Sequence, residues 1–368
     1  MAQNGTLTEK FAERIRKEVR SGRWNGKPLL SERALSERYG ISRVTVRRGL
    51  KRLCAEQLVE SRPGRGYFVV PGSAGPRRPK GTRAVLFVHA DPAGGATLDA
   101  MHAGIVNGAI AEAQRLGLEF YVTSQNPAGF RQTLAERWER DLRGVLLDWT
   151  GPELARFMLE ADIPFVMVEN DLEGLAVPAV IQDNAGGVRQ ALDHLAGHGH
   201  RRLALILTDD ESVHPRQRLS GYREWLLPAG LGFNPGWVAT GRIDAAGGRE
   251  AAAAVLDCTE PPTAILVANR EMLGGVIEEL AARGLGWPAD ISLVVWGAPG
   301  ADEPAGEHAD VTYVTWSRQE MGRLAVLALE ERVRSGRAER IVVRVPTRLV
   351  ERGSVAAPRV QTEEEERK

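Results

Sequence analysis

Phe11, Ile15 and Val19 stand four residues apart with charged residues between them, which predicts an amphipathic helix over residues 7–20. Ser31 and Ser42 each sit just ahead of a further helical pattern, where a hydroxyl can accept from a backbone N–H of the first turn. The pattern after Ser42 has two faces. Val46, Leu50 and Leu53 make an apolar stripe, while Arg43, Arg47 and Lys51 make a basic one. Leu58–Glu60 and Tyr67–Val70 then read as strands around a turn at Gly64-Arg65-Gly66. Short helices, a two-faced helix and a Gly-rich hairpin together predict a winged helix-turn-helix, which binds DNA.

Residues 71–82 lose all periodicity and are rich in Pro, Gly and Arg, as a linker is. Beyond Arg83, strand-like runs lie at Ala84–Val88, Leu118–Thr123, Gly144–Asp148, Pro164–Val168, Ala179–Gln182, Leu203–Thr208, Ala264–Ala268 and Ser292–Trp296. Helical stretches such as Asp99–Leu116 and Ala185–Leu195 fall between most of them. The alternation predicts an α/β body with parallel sheets covered by helices. It continues for roughly 270 residues, more than one doubly wound core holds, so two lobes are expected. The expected division is a DNA-binding head at 1–72, a linker at 73–82, a two-lobed effector-binding body at 83–356 and a disordered acidic tail at 357–368.

Charge sharpens this division. The 368 residues carry no net charge, yet residues 1–72 hold 16 Lys and Arg against 7 Asp and Glu. A basic head on an acidic body suits a polyanion-binding domain joined to one that stays off the polyanion. Cys54 and Cys258 are the only cysteines and fall in different predicted domains, which argues against a disulfide framework and for a reducing cytoplasm. No apolar run approaches the ~20 residues of a membrane span. The polar start Met1-Ala2-Gln3-Asn4-Gly5 is unlike a signal peptide, so a cytoplasmic protein without membrane contact is expected.

In the head, Arg43 and Arg47 can reach guanine edges or phosphate, and Thr45 can reach phosphate or a thymine methyl. Arg33 begins the preceding helix within reach of the DNA backbone. The glycines beside Arg65 let the wing approach a groove closely. The run Leu29-Leu30-Ser31-Glu32-Arg33, then Tyr39-Gly40-Ile41-Ser42-Arg43-Val44-Thr45-Val46-Arg47, and the wing Gly64-Arg65-Gly66-Tyr67-Phe68-Val69 resemble the GntR family of bacterial transcription regulators over residues 7–70. The resemblance implies DNA contacts from Arg33, Arg43, Thr45, Arg47 and Gly64, Arg65 and Gly66. Leu30 departs from the family, which usually has Pro there, and this affects the helix entry more than the DNA contact.

Ligands of open α/β sheets bind beyond the carboxyl ends of strands. The runs of the body end at His89-Ala90-Asp91, Asp148-Trp149, Thr208-Asp209-Asp210, Asn269-Arg270, Trp296 and, after Thr312–Thr315, Trp316. Polar groups and indole faces at that edge suit a small carbohydrate-like ligand. Asp193-His194-Leu195, Gly199-His200-Arg201, Arg218-Leu219-Ser220-Gly221-Tyr222, Val267-Ala268-Asn269 and Pro288-Ala289-Asp290-Ile291-Ser292 resemble the effector domain of LacI-type repressors, which shares the periplasmic sugar-binding-protein fold. A winged head on such a body resembles the arabinose-repressor class. The resemblance assigns effector binding to Arg218 and Asn269, and the strand-end reading adds Asp91, Asp148, Trp149, Trp296 and Trp316. Two positions depart from the family: Arg270 and Gly297 stand where it usually has Asp. The missing carboxylate at 297 argues against a standard monosaccharide clamp, and Trp149, Trp296 and Trp316 then suit a larger or more apolar ligand such as a glycoside.

Other chemistry finds less support. His194, His198 and His200 lack a Cys or carboxylate in sequence to complete a metal site, so no metal is expected. The glycine pairs match no nucleotide-binding pattern, and no hydrolytic motif is present. Residues 83–367 contain no lysine, which removes a Schiff-base enzyme of the pyridoxal-phosphate type. The polar start and the DNA head count against a solute receptor for a transporter. The sequence therefore predicts a homodimeric transcription regulator with no cofactor and no enzymatic activity, read first as a repressor, the alternative being an activator or a regulator that answers to a non-sugar ligand. Its partners are a pseudo-palindromic double-stranded operator and a small effector.

Overall fold

The computed structural model describes residues 6–20, 29, 31–56, 58–62, 66–70, 84–89, 100–124, 130–131, 134, 142–148, 150–172, 174–297, 308–336 and 339–359. In the head, α1 (Leu7–Arg20), α2 (Glu32–Tyr39) and α3 (Arg43–Ala55) precede the hairpin of β1 (Val59–Arg62) and β2 (Gly66–Val69). Phe11, Ile15, Val19, Leu35, Val46, Leu50 and Leu53 are all buried together, as their spacing predicts. Both serine caps form: Ser31 Oγ accepts from the Ala34 N–H at 3.2 Å and Ser42 Oγ from the Thr45 N–H at 3.1 Å. Gly40 ends α2 at φ +63°, a left-handed turn that side chains disfavour. The wing strands pair antiparallel from Val59↔Val69 to Arg62↔Gly66, so the first reaches two residues beyond the Leu58–Glu60 prediction. The Leu29 N–H adds a bond to the Tyr67 carbonyl at 2.9 Å.

From Ala84 onward the described residues pack as a second unit of two lobes. The first lobe is built on a six-stranded sheet in the order β13-β7-β6-β5-β3-β4. These strands are β3 (Ala84–His89), β4 (Glu119–Ser124), β5 (Leu142–Asp148), β6 (Phe165–Val168), β7 (Ala179–Gln182) and β13 (Val342–Val345). The second sheet has the order β14-β12-β11-β10-β8-β9. Its strands are β8 (Leu203–Thr208), β9 (Val238–Gly241), β10 (Ala264–Val267), β11 (Ser292–Trp296), β12 (Thr312–Trp316) and β14 (Thr347–Val350). The first sheet is parallel throughout, whereas β14 runs antiparallel to β12 at the rim of the second. Sequence pattern missed β9, β13 and β14. All three are edge strands with half-exposed residues, so they lack the unbroken apolar run that marks a strand buried on both faces.

The helices of the first lobe are α4 (Ala100–Arg115), α5 (Pro152–Glu160) and α10 (Arg318–Ser335), and those of the second are α6 (Asn184–Gly197), α7 (Val213–Leu226), α8 (Ala245–Leu256) and α9 (Leu273–Ala282). The chain therefore crosses between lobes three times: after Gln182, after Trp316 and after Val345. Crossings at strand ends place those residues beside the carboxyl-terminal edges of both sheets.

In the first lobe, α4 and α10 touch backbone to backbone. A Cβ on Gly108 would overlap the Gln319 carbonyl, and one on Gly322 would overlap the Ile105 carbonyl. Gly322→Ala must push the helices apart, at a cost of about 2–3 kcal/mol. At ~2–4 °C per kcal/mol for a unit of this size, thermal melting should shift down by roughly 5–10 °C. A melting midpoint unchanged by the substitution would show that the seam has room to give.

Candidate functional sites

On the head, Arg33 lies on α2, Arg43, Thr45 and Arg47 lie on α3, and Gly66 begins the second wing strand. Arg33 is exposed and pairs with Glu37 at 2.9 Å. Arg43 opens α3 and is exposed. Thr45 is half-buried, its hydroxyl 2.8 Å from that of Ser42. Arg47 is 68% exposed and holds Glu32 at 2.8 Å. That bond keeps the Glu32 carboxyl below the usual carboxylate range. Gly66 starts β2 at φ +93°, while Gly64 and Arg65 lie outside the described residues.

Val44 is the residue that the sequence reading passed over. It is 59% exposed between Arg43 and Thr45, on the side of α3 opposite the core. An apolar group there gains nothing from the fold, and it has the chemistry to meet a thymine methyl. Its value could have been read from the stripe itself, because it is apolar and off the apolar face. Arg62 supports the wing by stacking on Phe68 at 4.6 Å.

In the body, Arg218, Asn269, Trp296 and Trp316 come together at the carboxyl end of the second sheet. Arg218 reaches from α7 and is only 5% exposed. Its Nε donates to Asn184 Oδ1 at 3.0 Å, its Nη1 donates to the Ala268 carbonyl, and its guanidinium lies 4.0 Å from the Trp296 ring. Trp296 and Trp316 follow at 6.2 Å between centroids, and Arg318 covers Trp316 at 4.8 Å. Two cations thus bracket two indoles in a single column. The ring nitrogen of Trp296 is buried and has no hydrogen-bond partner among the described residues. Asn269 caps the short turn after β10 by accepting from the Glu271 N–H at 2.8 Å.

Arg270 and Gly297, the two departures from the family pattern, are neighbours. A Cβ at 297 would lie 3.4 Å from that of Arg270, and Gly297 adopts φ +107°. That backbone conformation disfavours an aspartate side chain, so the loss of the carboxylate is built into the main chain.

A different carboxylate stands in the cleft. Glu169, just after β6, is 2% exposed and accepts from the Trp316 indole N–H at 3.1 Å. It sits at φ +57°, a left-handed conformation costly for a residue with a side chain. Gln182 bridges it to the cation: its amide donates to Glu169 Oε2 at 2.7 Å and accepts from Arg218 Nη2 at 3.0 Å. Burial and the nearby Asp148 push the Glu169 carboxyl up to about 8, while burial brings Arg218 down to about 9. The strand-end rule would have found Glu169 had it been applied to β6 as well.

His214 completes the network as a neutral ring. Its Nε2 donates to the Glu169 carbonyl at 2.6 Å and its Nδ1 accepts from Asn184 Nδ2 at 3.1 Å. Burial, then the Arg218 charge, lowers it to about 3. The unfolded ring titrates near ~6.5, so between about 6.5 and 3 the unfolded chain binds a proton that the fold refuses. This contribution is whole above pH 6.5 and falls with pH by up to ~1.4 kcal/mol per unit. Glu169 works in the opposite sense, its contribution being whole below ~4.5 and lost as pH rises through about 8. Comparing wild type with His214→Gln isolates the histidine. In urea unfolding, lowering the pH from 8 to 5 should move the stability difference in favour of the variant. A difference independent of pH would contradict the neutral buried ring.

Asp148 ends β5 and is fully buried, with His89 Nδ1 at 2.8 Å and His102 Nε2 at 3.3 Å. Asp91 and Trp149 lie outside the described residues. One expectation needs correcting: a carboxylate does approach the His194 pair, because Glu351 beyond β14 gathers with His194 and His198. The long sequence separation hid it. His200 turns elsewhere, to Thr263 Oγ1 at 2.8 Å and the Ala356 carbonyl at 2.8 Å.

Residues 7–69 match the bacterial regulatory proteins of the gntR family, and residues 192–355 match the periplasmic binding protein-like domain. Over 166 residues the chain is 30% identical to the HTH-type transcriptional repressor CytR of Escherichia coli (strain K12), covering 45% of this chain and 48% of CytR. It is 32% identical over 206 residues to the HTH-type transcriptional regulator CelR of Thermobifida fusca, covering 55% of this chain and 59% of CelR. The chain thus spans about half the length of the curated relatives it matches. The solved transcriptional regulator CelR–cellobiose complex aligns with a TM-score of 0.64 at 25% identity, over 95% of this chain and 100% of that one. No described helix is long and apolar enough to cross a membrane. The chain joins a GntR-type helix-turn-helix domain to a periplasmic binding protein-like domain.

Proposed function

We propose that this chain is a DNA-binding transcription repressor whose operator affinity is set by a small carbohydrate-like effector held between the two lobes. The observation that carries the effector half is the cleft column. A buried Arg218 lies on Trp296, and that indole N–H has no partner among the described residues. A buried donor left unmet costs about 1–3 kcal/mol, so a ligand oxygen there recovers what the fold gives up. The edge of Trp296 that carries its N–H, rather than its covered faces, meets the ligand, and Glu169, Asn184 and Arg218 offer bonds to sugar hydroxyls. The missing carboxylate at 297 favours a disaccharide or glycoside over a bare monosaccharide.

The DNA half rests on Arg33, Arg43, Val44, Thr45 and Arg47, with the wing at 64–66, on a head with excess positive charge. In this reading residues 1–72 bind DNA, 73–82 link, 83–356 bind effector and dimerise, and 357–368 form an acidic tail. Two heads of a homodimer meet a pseudo-palindromic operator in the cytoplasm. Closing the lobes on the effector changes the geometry of the linkers and so the spacing of the heads. The chain performs no catalysis and uses no cofactor.

The test is a thermal-shift screen of the full chain against monosaccharides, disaccharides including cellobiose, and aryl glycosides. A ligand at 100 times its Kd should stabilise by ~2.7 kcal/mol. A saturable rise with a disaccharide or glycoside is expected. No rise with any sugar would overturn the carbohydrate assignment.

A further inference from the structure

We propose that His89, His102 and Asp148 form a binding site for a divalent transition-metal ion of the zinc type. The fold assembles the three from separate elements. β3 and β5 pair in parallel with His89 directly opposite Asp148, at the carboxyl ends of both strands. His102, from the first turn of α4, brings its ring to 4.4 Å from that of His89. All three side chains are buried, and one ligand atom from each lies within 4.8 Å of the others.

One of the two donor separations already matches an ion, and the other, an ordinary hydrogen bond at 2.8 Å, must open to reach it. A tetrahedral zinc held at ~2.0–2.1 Å from each donor separates the donors by roughly 3.3 Å. His102 Nε2 stands 3.3 Å from Asp148 Oδ2, and His89 Nδ1 at 2.8 Å from that same oxygen needs to open only slightly. Both rings converge on this one oxygen. The second, Oδ1, is buried without a hydrogen-bond partner among the described residues. An anionic oxygen in that position is expensive unless a cation or proton meets it. Two imidazoles and one carboxylate are the donors zinc, cobalt and nickel prefer, and three protein donors leave a coordination position open. Binding displaces the proton that His89 shares with Asp148. Asp148 is also one of the strand-end residues the sequence assigns to effector binding, but the sugar proposal is carried by Arg218, Trp296 and Glu169, so loss of cobalt binding and loss of sugar binding are separate outcomes.

The probe is Co²⁺, titrated into the metal-stripped full chain, with Zn²⁺ as competitor. The expected result is one saturable cobalt site per chain with the visible d–d absorption of a four-coordinate ion, abolished by Zn²⁺. His102→Gln and, separately, Asp148→Asn should lose that absorption. His194→Gln, which alters the half-buried His194–His198–Glu351 group, should keep it. Absence of saturable absorption in the wild-type chain overturns the proposal, as does absorption that survives His102→Gln and disappears in His194→Gln.

Discussion

Replacing Arg47 by Ala is expected to weaken binding of the full chain to an in vitro-selected operator by roughly 10–100-fold, the ~1–3 kcal/mol of one bidentate base contact. Arg47 is exposed on α3, where Glu32 accepts from its Nε and Nη2 and exchanges for guanine or phosphate when DNA binds. The Arg47 side of that ion pair is exposed and Glu32 half-buried, so the pair contributes little to stability, pairs of this kind being typically worth only ~0.2–1 kcal/mol. The melting midpoint of Arg47→Ala should therefore stay close to that of the wild type while DNA affinity collapses. Arg47→Lys keeps the charge but not the planar fork, and should recover only non-specific, salt-sensitive binding. Gel shifts at fixed salt measure both variants. Wild-type affinity in Arg47→Ala would remove α3 from the interface.

Replacing Arg218 by Lys should remove the response to effector and leave operator binding intact. The side chain is buried between the Ala268 carbonyl, Asn184 and the Trp296 face. A lysine ammonium can meet one of those partners, but it cannot stack flat on the indole or hold two bonds in a fixed fork. Effector affinity should drop by about two orders of magnitude, in line with ~2–3 kcal/mol for a buried charged hydrogen bond. Calorimetric titration of the sugar that most stabilises the wild type gives the affinity. An unchanged value would place the effector away from the column.

Much of this was legible in the residues. Caps and stripes gave the head, since Ser31, Ser42 and the Val46, Leu50, Leu53 spacing are local signals that tertiary contacts only reinforce. Fully buried parallel strands were equally plain, because runs such as Leu203–Leu207 are apolar throughout. Edge strands β9, β13 and β14 were not, being short and half-exposed. In the cleft, Arg218 and Asn269 came from the family resemblance, and Trp296 and Trp316 from asking what ends each strand. Gln182, Asn184 and His214 were missed because they act through contacts across the lobe crossings. The pairing of His89 with His102 required knowing where α4 lies against β3, which no local pattern encodes.

The account joins a head that holds DNA to a body whose ligand decides when it lets go, and such coupling must be reciprocal. Fluorescence anisotropy of the selected operator, titrated with the full chain with and without the stabilising sugar at saturation, tests it most directly. The operator Kd should rise by roughly 5–150-fold with sugar bound, and the sugar Kd should rise by the same factor with operator bound. An operator Kd that does not move at saturating sugar would contradict the account.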